Sequence, residues 1–276
     1  QAKLQAIAMD SVLGAAKLNQ YTSFIGNIMA SRIASLWDFN GPAFTISSEE
    51  NSVYNCLQIA HDMLVQGEVE AVVVAAVDLA ASAENFMLRQ QLSADFYGHV
   101  SDGAGAIVLR LASDEVTSQP YYGQITDLNF STHSQLHELN KQSNDADISL
   151  VDVTGSDSQQ AQRELQQRCQ ARHPNAMVQA SSEQTGHLYA ASGLFSLLNI
   201  LVKLNPVLPS PAPTGQLAAV YMRCIDGSVS QVIMQSPTNC KSFKVPTPDK
   251  VGLVKAVVLG GPSISNTIIE QGTALS

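Results

Sequence analysis

Basic charge is scarce in this 276-residue chain: 15 Lys and Arg stand against 24 Asp and Glu, a net charge of −9. With no basic run anywhere, the chain lacks the electrostatic footprint for nucleic acid or an anionic membrane. No stretch approaches the roughly 20 consecutive apolar residues that span a bilayer as a helix. The first residues, Gln1 to Gly14, lack the basic start and long apolar core of a secretory signal. The four cysteines, Cys56, Cys169, Cys224 and Cys240, lie far apart with no metal-ligand spacing, which suits reduced thiols and makes a cytoplasmic protein the expectation. His133 and His137 share a helical i, i+4 spacing, but no Glu or Cys completes a metal site there. No metal is therefore expected, and His61, His99, His133, His137 and His173 read as surface residues.

What the sequence does have is a 45% apolar share with only 14% charged residues. That is the balance of a folded protein with one large core or two half-size ones. The chain is organised around residues 41–54, Gly-Pro-Ala-Phe-Thr-Ile-Ser-Ser-Glu-Glu-Asn-Ser-Val-Tyr. The Gly-Pro start and the alternation of Phe44 and Ile46 with Thr45 and Ser47 predict a strand, and the serines ahead of Glu49 and Glu50 predict a helix start. Ser47 with Glu50, and Ser48 with Asn51, have capping-box spacing or a near variant, so a capping carboxylate is the plain reading of Glu50. Elbows of this kind present one side chain amid free backbone N–H groups, and acyl-transferring enzymes place a Ser or Cys nucleophile there. Here the presented position is Glu50, a poor acyl nucleophile.

Helical spacing of Leu4, Ile7, Ala8, Val12 and Ala15 predicts a helix over 2–16. A second helix follows a loop from Tyr21, with Ile28, Met29, Ile33 and Leu36 on its apolar side, and a third, substantially buried one runs over 53–65. The run 70–81 is apolar on both alternating faces, which predicts a central strand covered on both sides. Residues 102–109 form a glycine-led strand whose Gly103 and Gly105 read as close backbone packing, since Gly-x-Gly alone is weak evidence for a nucleotide. Strands are expected over 122–128, 149–153 and 176–180, a polar-faced helix over 158–171 and a buried helix over 192–204. The alternation implies an α/β layering. Residues 217–222 and 229–234 predict a closing hairpin. The tail from 237 to 249 reads as linker, followed by a strand within 251–259 and a short helix over 263–271.

The elbow resembles that of the beta-ketoacyl synthase family, whose members carry Gly-Pro, an apolar strand and then Asp-Thr-Ala-Cys-Ser-Ser. Position by position, Ser47, Ser48 and Glu49 stand for Asp, Thr and Ala, and Glu50 stands where the nucleophilic Cys would be. Of the family's two histidines, the first lies in Glu-Ala-His-Gly-Thr-Gly-Thr; the matching run 152–158 is Asp-Val-Thr-Gly-Ser-Asp-Ser, so Thr154 takes its place. The second, in Lys-Ser-Asn-Ile-Gly-His, matches residues 182–187, where His187 is kept and Ser182 replaces the lysine. The closing Gly-Phe-Gly-Gly-Thr-Asn corresponds loosely to residues 224–229. Retained scaffold motifs with Cys, one His and Lys replaced are similar to the chain length factor, the inactive partner of a true ketosynthase. The runs 27–53 and 74–80 look like the ketosynthase-like domains of bacterial polyunsaturated fatty acid synthases.

That resemblance implies an α/β, thiolase-like layered αβαβα fold with its N-terminal half incomplete in this chain. Residues 1–112 would be the remainder of that half, 113–236 the C-terminal half and 237–276 a linker and tail. It implies an active ketosynthase as partner, with Gly41, Phe44, Thr45, Ile46, Ile28, Met29 and Ile33 at the joint. It also implies an acyl carrier protein that brings substrate on phosphopantetheine, with no cofactor bound to the chain itself. Neither nucleic acid nor membrane is expected as a partner. No catalytic residue follows from it, since Glu50, Thr154 and His187 are degenerate positions; the plain reading of His187 is an inherited, hydrogen-bonded histidine. Three function classes stand open: a non-catalytic partner that bounds the acyl tunnel, a malonyl decarboxylase of ketosynthase type, which Thr154 counts against because such relatives keep both histidines, and a purely structural module.

Overall fold

The computed structural model describes residues 25–92, 100–112, 121–131, 148–155, 158–204, 216–237, 257–259 and 265–269. The helix expected over 2–16, and His99, His133, His137 and Cys240, lie outside them. The chain separates into two compact units, Gln1–Ser47 and Ser48–Ser276.

The described part of the first unit holds helix α1 (Asn27–Leu36) and the stretch that follows it. Residues 41–48, expected as a strand up to Ser47, form no ladder. The Thr45 N–H donates to Asn27 Oδ1 (2.9 Å), and its hydroxyl donates to the Gly26 carbonyl (2.9 Å). The alternation of Phe44 and Ile46 therefore sits on a backbone whose Thr45 donor is engaged by a side chain rather than by a neighbouring strand.

In the second unit the elements run in chain order as a 3₁₀ turn (Glu49–Asn51), α2 (Ser52–Val65), β1 (Ala71–Leu79), α3 (Ala83–Leu92), β2 (Asp102–Leu111), β3 (Gln124–Ser131), β4 (Ile148–Thr154) and α4 (Gln159–Arg172). They continue as β5 (Met177–Gln179), the single turn α5 (Ser182–Thr185), a 3₁₀ turn (Tyr189–Ala191), α6 (Ser192–Leu204), β6 (Leu217–Arg223), β7 (Val229–Gln235), β8 (Val257–Leu259) and β9 (Ser265–Ile269). Among the described residues these strands form one nine-stranded mixed sheet in the order β1-β2-β9-β8-β3-β7-β6-β4-β5. The β6–β7 pair is the expected antiparallel hairpin, Leu217 facing Gln235 and Arg223 facing Val229. Gly227, at φ +84°, supplies the left-handed residue that its turn requires.

α6 is apolar almost all round, and its Leu194, Leu197, Ile200, Leu201 and Leu204 are buried. They share a core with Val53, Tyr54, Leu57 and Leu64 of α2 and with residues of β1, β2, β6 and β7. Each such side chain contributes about 1.5–3 kcal/mol of transfer free energy. A second cluster joins Leu165 and Cys169 of α4 to Val151, Val153, Ala219, Tyr221 and Ile233 of β4, β6 and β7. In β4 and β6 neighbouring residues alternate between the two clusters, so these strands carry α2 and α6 on one face and α4 on the other.

Two strand and helix expectations are corrected. β1 is not covered on both sides: among the described residues it is one of the sheet's two edge strands, and Val73, Val77 and Leu79 on one face are exposed. Its valine-rich sequence satisfies a buried strand, but alternation alone cannot say whether a layer covers the second face. Residues 265–269 are strand, not helix; a short apolar run does not distinguish the two periods. His173 is also no surface residue, being buried with Nε2 at 2.9 Å from the Tyr221 hydroxyl.

Candidate functional site

The sequence predicted a capped helix at the elbow, and the structure puts a different device there. Neither Ser48 ahead of the 3₁₀ turn nor Asn51 ahead of α2 makes a side-chain cap. Instead Ser52 Oγ accepts from the Ser48 N–H (2.9 Å) and donates to the Glu49 carbonyl (2.6 Å). Glu49 takes φ +50°, a left-handed conformation that costs a non-glycine residue about 1–2 kcal/mol. That sharp turn sends Glu50 inward, where its side chain is 1% exposed.

Three segments meet around Glu50. From the loop before α6, His187 Nε2 approaches Glu50 Oε1 to 3.5 Å. From the end of β6, the Ile225 N–H points to Glu50 Oε2 at 3.5 Å. From the β6–β7 hairpin, Ser228 Oγ accepts from Asn51 Nδ2 (3.1 Å) and Ser230 Oγ donates to Asn51 Oδ1 (2.6 Å). The Glu50–His187 contact is long for a hydrogen bond, and His187 Nε2 has no well-aligned partner among the described residues. Burial by itself pushes Glu50 up, but the closeness of His187, together with the N–H groups of Glu50 and Ile225, holds it below its ordinary 4.5.

His187 is itself fixed from several sides. Its carbonyl accepts from the Ser101 N–H (3.1 Å), Ser192 Oγ lies 3.4 Å from Nδ1, and the Tyr189 ring meets it edge-on at 4.3 Å. Gly103 of β2 packs beneath, where a Cβ would come within 3.0 Å of Leu188. The close packing expected of the Gly-x-Gly pair is therefore present.

Thr154 ends β4, buried, opposite Met222 of β6. The next residue, Gly155, has φ +100°, and a Cβ there would sit 2.2 Å from the Arg223 carbonyl. β6 then runs on to Cys224 and Ile225, so Thr154 is joined to the Glu50 surroundings through that strand. The structure thus gathers Glu50, His187 and the 224–228 turn directly. Cys224 is buried, and burial pushes its thiol up to about 12; no nucleophilic thiolate forms there near neutrality.

Sequence reasoning missed a second buried carboxylate. Asp152 of β4 accepts from the Ser181 N–H (3.0 Å) and from its hydroxyl, and Ser181 Oγ lies 3.3 Å from Ser196 Oγ. Burial pushes Asp152 above its ordinary 3.8, only partly offset by the Ser181, Ser196 and Gln179 hydrogen bonds. An Asp inside the run 148–153 was the available signal, because a carboxylate in a buried strand needs a donor network. Among the described residues no cluster of His, Cys, Asp and Glu is arranged to hold a metal ion.

The comparisons identify the mixed α/β layering as the thiolase-like ketosynthase fold and the chain as ketosynthase-like. The family model of the beta-ketoacyl synthase N-terminal domain matches residues 2–114. Over 105 residues the chain is 42% identical to a polyunsaturated fatty acid synthase polypeptide from Thraustochytrium sp., a match that takes in 33% of this chain and 5% of that protein. The PfaC keto synthase–chain length factor structure superposes with a TM-score of 0.72 at 32% identity, covering 89% of this chain and 28% of that one. A further structure, the acyl carrier protein AntF in complex with its ketosynthase AntDE, matches at a TM-score of 0.65 and 12% identity over 80% of this chain and 69% of that one, which speaks for the fold alone. The chain spans only a small part of the length of these first two relatives.

Proposed function

We propose that this chain is a catalytically inactive ketosynthase-like partner, a chain length factor, that pairs with an active ketosynthase and helps shape the acyl tunnel in polyunsaturated fatty acid biosynthesis. The single observation that carries the reading is Glu50 itself. By the resemblance of the elbow motif, a buried carboxylate beside His187, held low by its surroundings, stands where the family's nucleophile would be. A carboxylate held low by its neighbours does not attack a thioester usefully, and Thr154 brings no ring nitrogen to stabilise an enolate.

Substrate would arrive on the phosphopantetheine of an acyl carrier protein, with no cofactor resident on this chain. The expected halves, 1–112 and 113–236 with a tail to 276, remain the proposed domain division. For the joint with the ketosynthase we propose α1 and the stretch after it. Met29, Ile33 and Phe44 are exposed there, as are Leu36, Trp37 and Phe39. Gly41, Thr45, Ile46 and Ile28 complete the proposed patch.

Intact-protein mass spectrometry tests the reading. The chain is mixed with an active ketosynthase and an acyl-loaded carrier protein. The ketosynthase should gain the acyl mass and this chain should not; an acyl adduct on this chain contradicts the proposal. Release of carbon dioxide from a malonyl-loaded carrier protein by this chain alone would instead favour the decarboxylase reading.

A further inference from the structure

Of the three non-glycine residues with positive φ among those described, two flank the buried pair: Glu49 at +50° directly before Glu50, and Tyr189 at +42° two residues after His187. Left-handed backbone persists at a residue with a side chain only where the surroundings over-determine it, and such residues gather where a side chain must be aimed. The Glu49 conformation aims Glu50 inward. The Tyr189 conformation turns its ring back onto His187, centroid to centroid 4.3 Å and edge-on. The Tyr189 ring also carries Arg89 of α3 over it, the guanidinium carbon 4.4 Å from the ring centroid. A guanidinium over an aromatic face is an attractive contact, stronger as it is desolvated, and Tyr189 is buried while Arg89 is half-buried. The backbone after Tyr189 is also tied down, the Ala190 N–H donating to Asp78 Oδ2 of β1 at 3.2 Å.

We propose that Arg89 and Tyr189 are positioning residues that hold the His187 ring against Glu50, through the stack Arg89–Tyr189–His187–Glu50. The proposal rests on the Glu50–His187 contact and is independent of whether the chain pairs with a ketosynthase. Because that contact is 3.5 Å and poorly aligned, the two side chains do not hold each other tightly. The contacts left to keep the imidazole turned are the Ser192 hydroxyl, 3.4 Å from Nδ1, and the Tyr189 ring that Arg89 overlies. The charged and titratable groups around the pair are Cys224 just after β6 with Glu49 and Asp226 near it, Tyr189 against His187, Arg89 of α3 over Tyr189, and Asp78 of β1 at the Ala190 N–H. The Cys224 thiol, pushed up to about 12, stays neutral near neutrality.

The experiment follows the Glu50 carboxyl carbon by NMR in chain labelled at glutamate side chains, through an acid titration. Removing the partner should free the burial effect that His187 opposes, so the Glu50 midpoint should move upward by more than about half a unit in Arg89→Met and in Tyr189→Leu. Arg89→Lys, which keeps the cation, should keep the wild-type midpoint. A ring that merely fills space predicts no difference between Arg89→Met and Arg89→Lys. Wild-type midpoints in both Arg89→Met and Tyr189→Leu, with circular dichroism unchanged, overturn the proposal. His187→Gln is the separate control: an unmoved Glu50 midpoint in that variant contradicts the Glu50–His187 contact itself and the proposal with it.

Discussion

Glu50 Oε1 stands 3.5 Å from His187 Nε2, and both side chains are almost wholly withdrawn from solvent. The two residues come from elbow and loop segments more than 130 positions apart and meet as a carboxylate–imidazole contact. Polar groups enclosed in this way are costly to separate, because the survivor is left buried without its partner. Glu50→Ala should therefore destabilise the fold by about 1–3 kcal/mol. Glu50→Gln, which keeps the shape, should cost clearly less. Urea unfolding of the three proteins measures both.

The two buried carboxylates should act on stability with opposite signs as pH changes. Glu50 has a folded pKa below its ordinary 4.5, so its contribution is complete above 4.5 and is lost as pH falls through the folded value. Asp152 has a folded pKa above its ordinary 3.8, so its contribution is complete below 3.8 and is lost as pH rises through the folded value. Glu50→Gln should make the acid-side loss of stability shallower, and Asp152→Asn should flatten the loss on the rising side. Urea midpoints collected between about pH 3 and 7 check the signs. A parallel response of the two variants would contradict them.

Gly155 leaves no room for a side chain. Gly155→Ala combines φ +100° with a Cβ 2.2 Å from the Arg223 carbonyl and 2.6 Å from Met222 Sδ. The expected loss is at least about 2 kcal/mol, since backbone strain and displacement of β6 add. Thermal unfolding reads it directly. Glu49→Gly has the opposite expectation, a change between zero and about 1 kcal/mol of added stability, because relief of the left-handed strain outweighs the entropy that glycine costs.

Much of this organisation was legible in the sequence. The helix over 192–204, the hairpin and the glycine-led strand follow from periodicity and turn residues, and their spans match closely. His187 and Glu50 were singled out by their place in motifs. Their contact was not legible, because no local rule places residue 50 beside residue 187. The capping box failed for a different reason: Ser52, not Ser47 or Ser48, closes the turn, and a left-handed Glu49 changes which side chain faces inward. The edge position of β1 escaped too, since alternation reports the chemistry of two faces and not what covers them. Asp152 lay unread within an apolar run, its Ser181 and Ser196 partners being brought up only by the fold.

Restoring the thiol alone should not restore condensation. Glu50→Cys supplies a thiol beside His187, but on the proposed correspondence Thr154 would still stand in place of the family's other histidine. No 3-ketoacyl product is expected from that variant with acyl- and malonyl-loaded carrier protein. Steady product release, followed by mass spectrometry, would show that Thr154 has been wrongly assigned.

The partner role is tested most directly by light scattering of this chain co-expressed with an active ketosynthase, compared with the Ile33→Glu, Phe44→Glu double variant. Those side chains are exposed, so the variant should keep its circular dichroism, whereas Thr45→Pro would also remove the hydrogen bond from the Thr45 N–H to Asn27. The account predicts a one-to-one pair with the unaltered chain and separate components with the variant. An undiminished pair in the folded variant would contradict the proposed joint, and no pair with the unaltered chain would contradict the partner role.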